Sequence, residues 1–423
     1  MGGLLDFVRD LGFVRVGGSK EEKTAANMIL GELGRIREES RGRAAPAESM
    51  PFAIPSASVK KCSVKALGRS LACAPFLRSG SIDRECRLLY LDHASEIDFA
   101  GIGDLSGTAV LLNELLRDEE PYKRLAERKA AAFLVMKGKY YDTAETASLY
   151  GRVLQEHFAR NGAIPGFTIT AADANALVQE NAQTVRLALE QENTEGSSQN
   201  LLAAIEGGDL KGESVVLTAH YDSVPVGAGA WDNATGAAAL LAIYRHFAAN
   251  PPRRTLRFVW CGSEELGLLG SKAYVAEHAS LLGEIRFCFN FDMCGTALGG
   301  NDIFATGEKE LETFIEQYCK LAGYSAKIRC GVQSSDSAPF CDHGIPALGL
   351  SRGTSAAEIH TIRDLPPTLS ESAIRKNVGF AVRIIGDVAN AAVIPAKKRM
   401  PEERRKELDK YFHREEKIGP HWK

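Results

Sequence analysis

The sequence predicts an α/β protein with a mostly parallel mixed sheet flanked by helices, and a smaller α+β domain inserted into it. Three observations support this fold class. Strand-like and helix-like segments alternate from about residue 199 onward. Two segments with helical apolar spacing open the chain. Between them and the alternating region, the sequence has mainly short strand-like runs and turns. A chain of 423 residues is also longer than one ordinary hydrophobic core requires, so more than one domain is expected.

The opening residues 1–45 are predicted to hold two helices of the sheet domain. "LLDFVRDLGFV" has apolar residues at helical spacing, and the glycines at 17 and 18 end this pattern. Ser19 and Glu22 then have the spacing of a capping box, which predicts the start of a second helix. The proline- and alanine-rich stretch "RGRAAPAESMPFAIPSAS" has no helical period and predicts a domain junction.

Residues 60–195 are predicted to form the inserted α+β domain. "CRLLYLDH", "AAAFLVMKG" and "TVRLALEQ" have the composition of strands. "PGFTITAADANALVQENA" predicts a strand that leads into a helix. "AETASLYGRVLQEHFARNGA", residues 144–163, predicts an amphipathic helix.

Residues 199–398 are predicted to form the main sheet and its helices. The predicted strands are "LLAAIEG", "SVVLTAHYDS", "TLRFVWCGSEE", "IRFCFNFDMCG", "AKIRCG" and "PALGLSRG". The predicted helices are "GAAALLAIYRHFAA", "GLLGSKAYVAEH", "ELETFIEQYCKLAGY" and "SAIRKNVGFAVRIIGDVANAAV". Residues 401–423 are highly charged and predict a solvated helix or tail.

Composition narrows the functional class. The net charge of −3 gives no basic surface of the kind that binds nucleic acid or anionic membranes. No apolar run approaches the ~20 residues of a membrane span. Asp6, Arg9 and Asp10 interrupt the N-terminal stretch, which therefore does not read as a signal peptide, although a trimmed chain stays possible. The nine cysteines are odd in number, form no CxxC pair and lie in part within apolar runs such as "FCFNFDMCG". This pattern fits a reducing compartment better than a disulfide scaffold, so a cytoplasmic location is expected.

Polar residues are concentrated where the predicted strands of the main sheet end. In an open α/β sheet, the carboxyl ends of parallel strands form the crevice where ligands bind. Separate strands and loops should therefore bring two histidines and several carboxylates to one edge of the sheet. These residues are His220, Asp222, Asp232, Glu264, Glu265, Asp292 and His360.

This set of side chains has the chemistry of a metal site. Neutral imidazole and carboxylate are zinc ligands, and two cations ~3.5–4 Å apart need a carboxylate between them. Asp232, in a loop of small residues, is suited to bridge two metals. Of the adjacent pair Glu264 and Glu265, one can coordinate while the other takes a proton from water, provided that the backbone bends. Asp222 lies two residues after His220 and can orient its imidazole.

The run "AHYDSVPVGAGAWDNATGAAALL…RFVWCGSEELGLLGSKAYV…FNFDMCG…SSDSAPFCDHGIPALGL…EIHTIRD" resembles the co-catalytic di-zinc exopeptidases. This family includes bacterial leucine aminopeptidases, aminopeptidase Y and glutamate carboxypeptidase. The resemblance covers about residues 199–390 and implies the zinc exopeptidase fold with two zinc ions. It also implies a role for each residue: His220 and Asp292 on one zinc, Glu265 and His360 on the other, Asp232 bridging both, Glu264 as general base and Asp222 supporting His220.

Two further features bear on the resemblance. The insert is similar to a protease-associated (PA) domain, which several relatives carry, and the similarity implies a lid or a substrate gate. The residue before the last histidine is often aromatic in relatives, whereas here it is Ile359. This departure puts in doubt any tyrosine hydroxyl that stabilises the tetrahedral intermediate from that position.

We therefore predict a zinc-dependent metallo-exopeptidase, an aminopeptidase that removes N-terminal residues from peptides. Three alternatives stay open: a carboxypeptidase of the same fold, a glutaminyl cyclase-like acyltransferase with a single zinc, and a catalytically inactive binding module. The filled ligand positions and the intact "SEELGLLGS" favour the two-metal peptidase. The expected partner is a peptide substrate, with no nucleic acid and no membrane. The sequence leaves the oligomeric state and the preferred residue open.

Overall fold

The structure is a computed structural model, and it describes residues 3–41, 45–92, 94–113 and 119–414. The chain divides into two compact units. The sheet unit comprises Met1–Phe52 and Ser197–Lys423, and the inserted unit comprises Ala53–Gly196. Among the described residues, no helix has both the length and the apolar character needed to cross a membrane.

The helices and strands of the described residues are numbered in chain order. The helices are α1 (Leu4–Asp10), α2 (Lys20–Glu39), α3 (Glu119–Glu127), α4 (Glu156–Ala159), α5 (Ala171–Gln179), α6 (Thr235–Ala249), α7 (Leu269–Glu277), α8 (Lys309–Ala322), α9 (Ala338–Asp342), α10 (Glu371–Asn390) and α11 (Glu402–Tyr411). The strands are β1 (Glu48–Ala66), β2 (Arg69–Leu71), β3 (Cys73–Leu77), β4 (Ile82–Leu91), β5 (Thr108–Leu112), β6 (Ala132–Lys137), β7 (Arg152–Val153), β8 (Gly166–Thr170), β9 (Thr184–Ile205), β10 (Ser214–His220), β11 (Thr255–Cys261), β12 (Ile285–Phe291), β13 (Gly300–Thr306), β14 (Lys327–Cys330) and β15 (Ala347–Gly353).

The sheet unit contains the predicted mostly parallel mixed sheet. Its strand order is β14-β13-β15-β12-β10-β11-β9. Strand β10 at the centre pairs in parallel with both β11 and β12, and β12 pairs in parallel with β15. Antiparallel pairs occur at β13 with β15 and at β11 with β9. The predicted fold class, a mixed α/β sheet flanked by helices, is confirmed.

The core of this unit lies against the central strands. Every residue of β10 is buried, which matches its nearly continuous apolar sequence and is typical of a parallel strand covered on both faces. Alanines in α6 allow that helix to approach the sheet closely, and Trp260 Nε1 donates to the carbonyl oxygen of Ala237 at 3.1 Å. Each fully buried large side chain, such as Phe258 or Phe289, contributes about 1.5–3 kcal/mol. The strand ends at the crevice are thus held rigidly.

The two predicted N-terminal helices are α1 and α2, and only half of the predicted capping box forms. The Ser19 hydroxyl accepts a hydrogen bond from the Glu22 amide at 3.0 Å. The Glu22 carboxylate does not bond back to Ser19; it accepts from the Gly18 amide at 2.7 Å and turns into the interior, where it is buried. The cap therefore fixes the helix start, and the glutamate is available for a tertiary contact.

The inserted unit is built on a second set of paired strands, in the order β9-β4-β5-β6-β8-β3-β7. The predicted helix over residues 144–163 was wrong, because this segment consists of turns, strand β7 and the short helix α4. Ser148 adopts a left-handed φ of 54°, and Gly151 has a low helix propensity, so the segment cannot continue as one helix. The apolar period misled because its buried residues belong to different elements: Leu154 directly follows β7, and Phe158 lies in α4.

Two other segments differ from the sequence expectations. The stretch at residues 41–58 was expected to be an irregular junction, but β1 begins within it at Glu48. Proline fixes φ near the extended region, so the prolines at 51 and 55 are compatible with a strand. In the charged C-terminal stretch, α11 covers Glu402–Tyr411, and residues 415–423 lie outside the described part of the chain.

Candidate active site

The ends of three parallel strands place polar side chains at one edge of the sheet. The register of β10 and β11 sets His220 opposite Cys261, and Asp292 directly follows β12. The Glu264–Glu265 pair follows β11 after a short bend. His220 and Asp292 are both buried. The predicted meeting of these residues at the carboxyl edge is therefore what the structure shows.

The loop after β10 turns back to the same edge through two glycines. Gly227 and Gly229 have left-handed φ values of 73° and 54°. A Cβ at Gly227 would lie 2.3 Å from the Thr361 carbonyl oxygen, and a Cβ at Gly229 would lie 2.7 Å from the Ser223 Cβ. Only glycine fits these close approaches, and the turn carries Asp232 back towards the strand ends.

Asp232 lies between the two histidines. Its Oδ1 atom is 3.1 Å from His220 Nε2, and its Oδ2 atom is 3.2 Å from His360 Nε2. Each histidine also faces a second carboxylate. Asp292 Oδ1 is 3.5 Å from His220 Nε2, and Glu265 Oε2 is 3.0 Å from His360 Nε2. One carboxylate thus joins two separate groups of ligand-type atoms.

Two groups of side chains could each hold a cation. One contains His220, Glu264 and Asp292, and the other contains Asp232, Glu265 and His360. Within each group the potential ligand atoms lie within 4.8 Å of one another. The buried atoms Glu265 Oε1 and Asp292 Oδ1 have no hydrogen-bond partner, which is costly unless a cation satisfies them. Imidazole and carboxylate form a zinc-type donor set, so the residues fit zinc.

Asp222 contacts three residues of the candidate site, namely His220, Glu264 and Glu265. Its Oδ1 atom lies 3.4 Å from His220 Nδ1, as expected for a residue that orients the imidazole. The same carboxylate accepts hydrogen bonds from the amides of Glu264 and Glu265, at 3.0 and 3.2 Å. The bend that the glutamate pair requires comes at Ser263, which has a left-handed φ of 52°. Asp222 therefore fixes the histidine and both glutamates at once.

Left-handed backbone recurs at the candidate ligands. Ser263 precedes the glutamate pair, Met293 follows Asp292, and His360 is itself left-handed, with φ values of 52°, 58° and 56°. Such conformations cost roughly 1–3 kcal/mol each outside glycine, and they concentrate at functional sites. Each of these strained residues is a candidate ligand or is adjacent to a candidate ligand or base in the chain. This concentration supports a functional role for the carboxyl edge of the sheet.

Asp364 and Ser335 position candidate ligands and were not predicted from the sequence. Asp364 accepts from the amides of Trp231 and Asp232, at 2.7 and 3.0 Å. Ser335 donates from its hydroxyl to Asp292 Oδ2 at 2.8 Å. The motif "EIHTIRD" includes Asp364 four residues after the last histidine, and this spacing is the signal that could have identified it. Ser335 lies in the quoted motif "SSDSAPF", but nothing in that motif shows which of its serines contacts a candidate ligand.

Arg15 in the N-terminal segment is fully buried beneath the site. Its guanidinium donates to the carbonyl oxygens of Ala228 and Gly229, each at 2.7 Å, and to that of Tyr221. Burial lowers the pKa of Arg15 to about 10, and the negative charge of Asp222 is the largest effect that raises it. The side chain stays a cation at neutral pH. It ties down the loop that carries Asp232 and places positive charge behind the carboxylates.

The buried carboxylates and histidines of the site shift one another's pKa values in the directions that favour added positive charge. Burial raises the pKa of Glu264 well above its ordinary value and that of Glu265 to about 7. Burial lowers the pKa of His360, but hydrogen bonds to Asp232 and Glu265 outweigh it and raise the value to about 11. Both kinds of shift, the raised pKa of the glutamates and that of His360, reduce the net negative charge of the buried cluster. A bound cation reverses these shifts by supplying the charge itself.

A cleft of about 520 Å³ opens beside Asp292. This volume is within the range of small-molecule sites. Its walls combine apolar and polar side chains, among them Trp231, Met293, Phe304, Arg329, Gln333 and Ser355. Of the candidate metal ligands, Asp292 lines the cleft, so a substrate in the cleft would lie next to the candidate metal site.

Asp336 and Tyr411 are two further polar residues close to the candidate site. Asp336 is fully buried, and burial raises its pKa to about 6. Its carboxylate faces the Ser271 hydroxyl and the Cys261 thiol, so it belongs to the support behind the site. Ser334 lines the cleft, and the Tyr411 hydroxyl lies 3.0 Å from its Oγ atom. This contact links a phenol to the cleft, whereas residue 359 is isoleucine.

Glu22 gives a testable pH dependence. Its carboxylate accepts from the Ser198 hydroxyl at 2.6 Å, and burial raises its pKa from 4.5 to about 7. Between these pH values the folded chain binds a proton that the unfolded chain has released, so the free energy of unfolding falls as pH rises. We expect this loss, of order 3 kcal/mol, to be absent in Glu22→Gln. Urea unfolding at pH 4.5 and 8 measures it, with the exposed Glu21→Gln as the control that should follow the wild type.

Comparison with known proteins agrees with this geometry. The profile of peptidase family M28 matches residues 200–384. This segment is an M28 peptidase domain. All the candidate ligands fall inside the M28 domain, whereas Arg15, Glu22 and Tyr411 lie outside it.

Curated relatives of the M28 domain include two bacterial proteins. Aminopeptidase YwaD of Bacillus subtilis (strain 168) is 30% identical over 249 residues, which cover 56% of this chain and 52% of that protein. Leupeptin-inactivating enzyme 1 of Streptomyces exfoliatus is 41% identical over 163 residues, which cover 36% of each. The chain thus spans about half or less of the length of these relatives.

Solved structures resemble the chain over most of its length. The aminopeptidase from Aneurinibacillus sp. strain AM-1 has a TM-score of 0.73 at 21% identity, covering 92% of this chain and 94% of that one. BSAP, a zinc aminopeptidase from Bacillus subtilis, has a TM-score of 0.73 at 22% identity, covering 95% and 98%. At these identities the likeness establishes the fold.

Proposed function

We propose that this protein is a zinc-dependent aminopeptidase with two zinc ions, and that it removes N-terminal residues from peptides. One observation carries the proposal: the two oxygens of Asp232 face different histidines, at 3.1 and 3.2 Å. A carboxylate in this position can join two cations that would otherwise repel each other. The proposal assigns His220 and Asp292 to one zinc and Glu265 and His360 to the other.

Bound zinc would polarise the scissile carbonyl and lower the pKa of water, so that water attacks at neutral pH. The chain's own residues would do the rest. His220 would be held in the ligating tautomer by Asp222, whose carboxylate faces the opposite ring nitrogen at 3.4 Å. Asp364 would keep Asp232 in place through the Trp231 and Asp232 amides.

Glu264 is proposed as the general base. Asp222 holds its amide, and burial raises the pKa of its carboxyl group above the ordinary value. A carboxylate with a raised pKa takes a proton from the attacking water more readily and then returns it to the leaving amine. Glu265, held by the other oxygen of Asp222, would coordinate, so the two adjacent glutamates divide the work.

The names of the relatives support aminopeptidase action, because YwaD and BSAP are both described as aminopeptidases and BSAP as a zinc enzyme. The carboxypeptidase alternative needs a cation in the cleft to bind a substrate carboxylate. Arg329 lies in the cleft wall, but Asp302 neutralises it at 2.7 Å. A single-zinc cyclase and an inactive binding module are disfavoured because both groups of ligand-type atoms are complete.

The test is a comparison of substrates with the full chain and added Zn²⁺. We expect hydrolysis of aminoacyl p-nitroanilides, no hydrolysis when the amine is acetylated, and two zinc ions per chain by metal analysis. Cleavage only of peptides with a free C-terminus would establish a carboxypeptidase instead. Two bound zinc ions without turnover of either substrate class would rule out the peptidase.

The inserted unit and the location are also proposals. We propose that Ala53–Gly196 is a PA-like domain, on the basis of its strand–helix–strand course from β8 through α5 to β9. A cytoplasmic location stays a prediction from the cysteine content. Peptides are the proposed partners of the protein.

A further inference from the structure

The inserted unit carries two cysteines whose sulfur atoms face each other. Cys62 lies on β1 and Cys73 opens β3, and their Sγ atoms are 3.8 Å apart. The antiparallel ladder of β1 and β2 sets Val64 opposite Leu71. Continued outward by two residues, this register sets Cys62 opposite Cys73. The two thiols are therefore cross-strand neighbours, and the turn of a hairpin lies between them.

This position suits a covalent link. Residues directly opposite in an antiparallel pair have Cα atoms roughly 4.5–5.5 Å apart, within the roughly 4.4–6.8 Å that disulfides span. From a separation of 3.8 Å, the two sulfur atoms need only a short movement to reach the bonding distance of about 2.05 Å. Cys62 and Cys73 are both partly exposed, which allows a small reagent to reach them.

The two thiols also differ in reactivity. The shared hydrogen bond lowers the pKa of Cys73 and raises that of Cys62. The backbone amide of Val64 also favours the Cys73 thiolate. The thiolate is the nucleophile in disulfide exchange, so we assign the first attack to Cys73 and the resolving step to Cys62.

We propose that Cys62 and Cys73 form a redox-active dithiol that reacts with small disulfides of the glutathione class and closes a reversible link between β1 and β3. The Cys73 thiolate attacks one sulfur of the small disulfide, forms a mixed disulfide and releases one thiolate. Cys62 gives its proton to solvent and attacks the Cys73 sulfur, which releases the second thiolate. Cys73 has already released its proton to solvent when it attacks, so the protein loses two electrons and two protons in total. The two released thiolates take up two protons from solvent, and the small disulfide becomes two thiols.

The experiment uses the full chain with Cys330→Ser, because Cys330 is exposed and would form its own mixed disulfide. The protein is equilibrated natively with mixtures of reduced and oxidised glutathione, alkylated and digested for mass spectrometry. We expect a linked peptide pair containing Cys62 and Cys73, two hydrogens lighter than the reduced pair, and its loss on addition of reduced glutathione. This readout keeps both native cysteines of the pair, so it requires no substitution at Cys62 or Cys73.

A matched variant separates the two steps. With Cys62→Ser in the same background, the resolving thiol is absent, and we expect glutathione to stay attached at Cys73. With Cys73→Ser we expect modification of Cys62 to be at least severalfold slower. If both native cysteines are alkylated at every glutathione ratio, or if glutathione stays attached instead of being displaced, the proposal is wrong. The result is independent of peptidase activity.

Discussion

Glu264→Gln is expected to lower kcat by about 10²–10⁴-fold and to leave both zinc ions bound. Glutamine keeps the shape of the side chain and the backbone amide that Asp222 holds at 3.0 Å, but its amide cannot accept the proton of the attacking water. The variant should therefore bind substrate and metal without turnover. Steady-state kinetics with an aminoacyl p-nitroanilide and metal analysis of the same sample measure both quantities.

The two readouts separate a base from a ligand. A carboxylate oxygen of Glu264 lies within 4.8 Å of the potential ligand atoms of His220 and Asp292, so Glu264 could itself bind a metal. Loss of one zinc in the variant would mean that Glu264 is a ligand and that another group accepts the proton. Activity within a few fold of the wild type would likewise reject the base assignment. Glu277→Gln is the matched control, since the same change at an exposed position at the end of α7 should alter neither zinc content nor kcat.

Asp232→Asn is expected to have the largest effect on metal binding. Both oxygens of Asp232 are used, one towards each histidine, and asparagine would replace one of them with a hydrogen-bond donor and remove the bridging negative charge. We expect zinc content to fall below two per chain, and kcat/KM to fall by about 10²–10⁴-fold, which corresponds to several kcal/mol of transition-state stabilisation.

Thermal unfolding gives a second, activity-free measure of the same variant. A metal that binds the native state stabilises it by mass action, so Zn²⁺ should raise the Tm of the wild type. We expect this rise to shrink in Asp232→Asn and to persist in Asp209→Asn, a control at an exposed carboxylate paired with Arg253. An unchanged zinc-dependent rise in Asp232→Asn would show that Asp232 does not join the metals.

Much of the site could be predicted because its parts have local signals. His220, Asp292 and the glutamate pair each follow an apolar strand pattern, and the parallel sheet class brings such strand ends together. The loop of small residues that carries Asp232 was also evident in the sequence, and the left-handed Gly227 and Gly229 in it provide the chain reversal. The expectation that Asp222 supports His220 was local as well, since two residues in extended chain point to one side.

The helix prediction at residues 144–163 shows where local signals fail. Its apolar residues have helical spacing, but Leu154 directly follows β7, Phe158 lies in the separate helix α4, and Ser148 is left-handed. Periodicity reports which side chains are buried, and it does not report whether one element buries them. Tertiary packing decided this segment against its local pattern.

The sequence by itself determined the sheet class and the chemical identity of the candidate ligands, because both depend on residue types within short windows. Only the tertiary structure decided how the ligands are held. Arg15 reaches the carbonyl oxygens of Ala228 and Gly229, and Asp364 holds the Asp232 amide. These contacts join segments more than a hundred residues apart. Their donors and acceptors are largely backbone groups, which every residue carries, so no local pattern in the chain marks them.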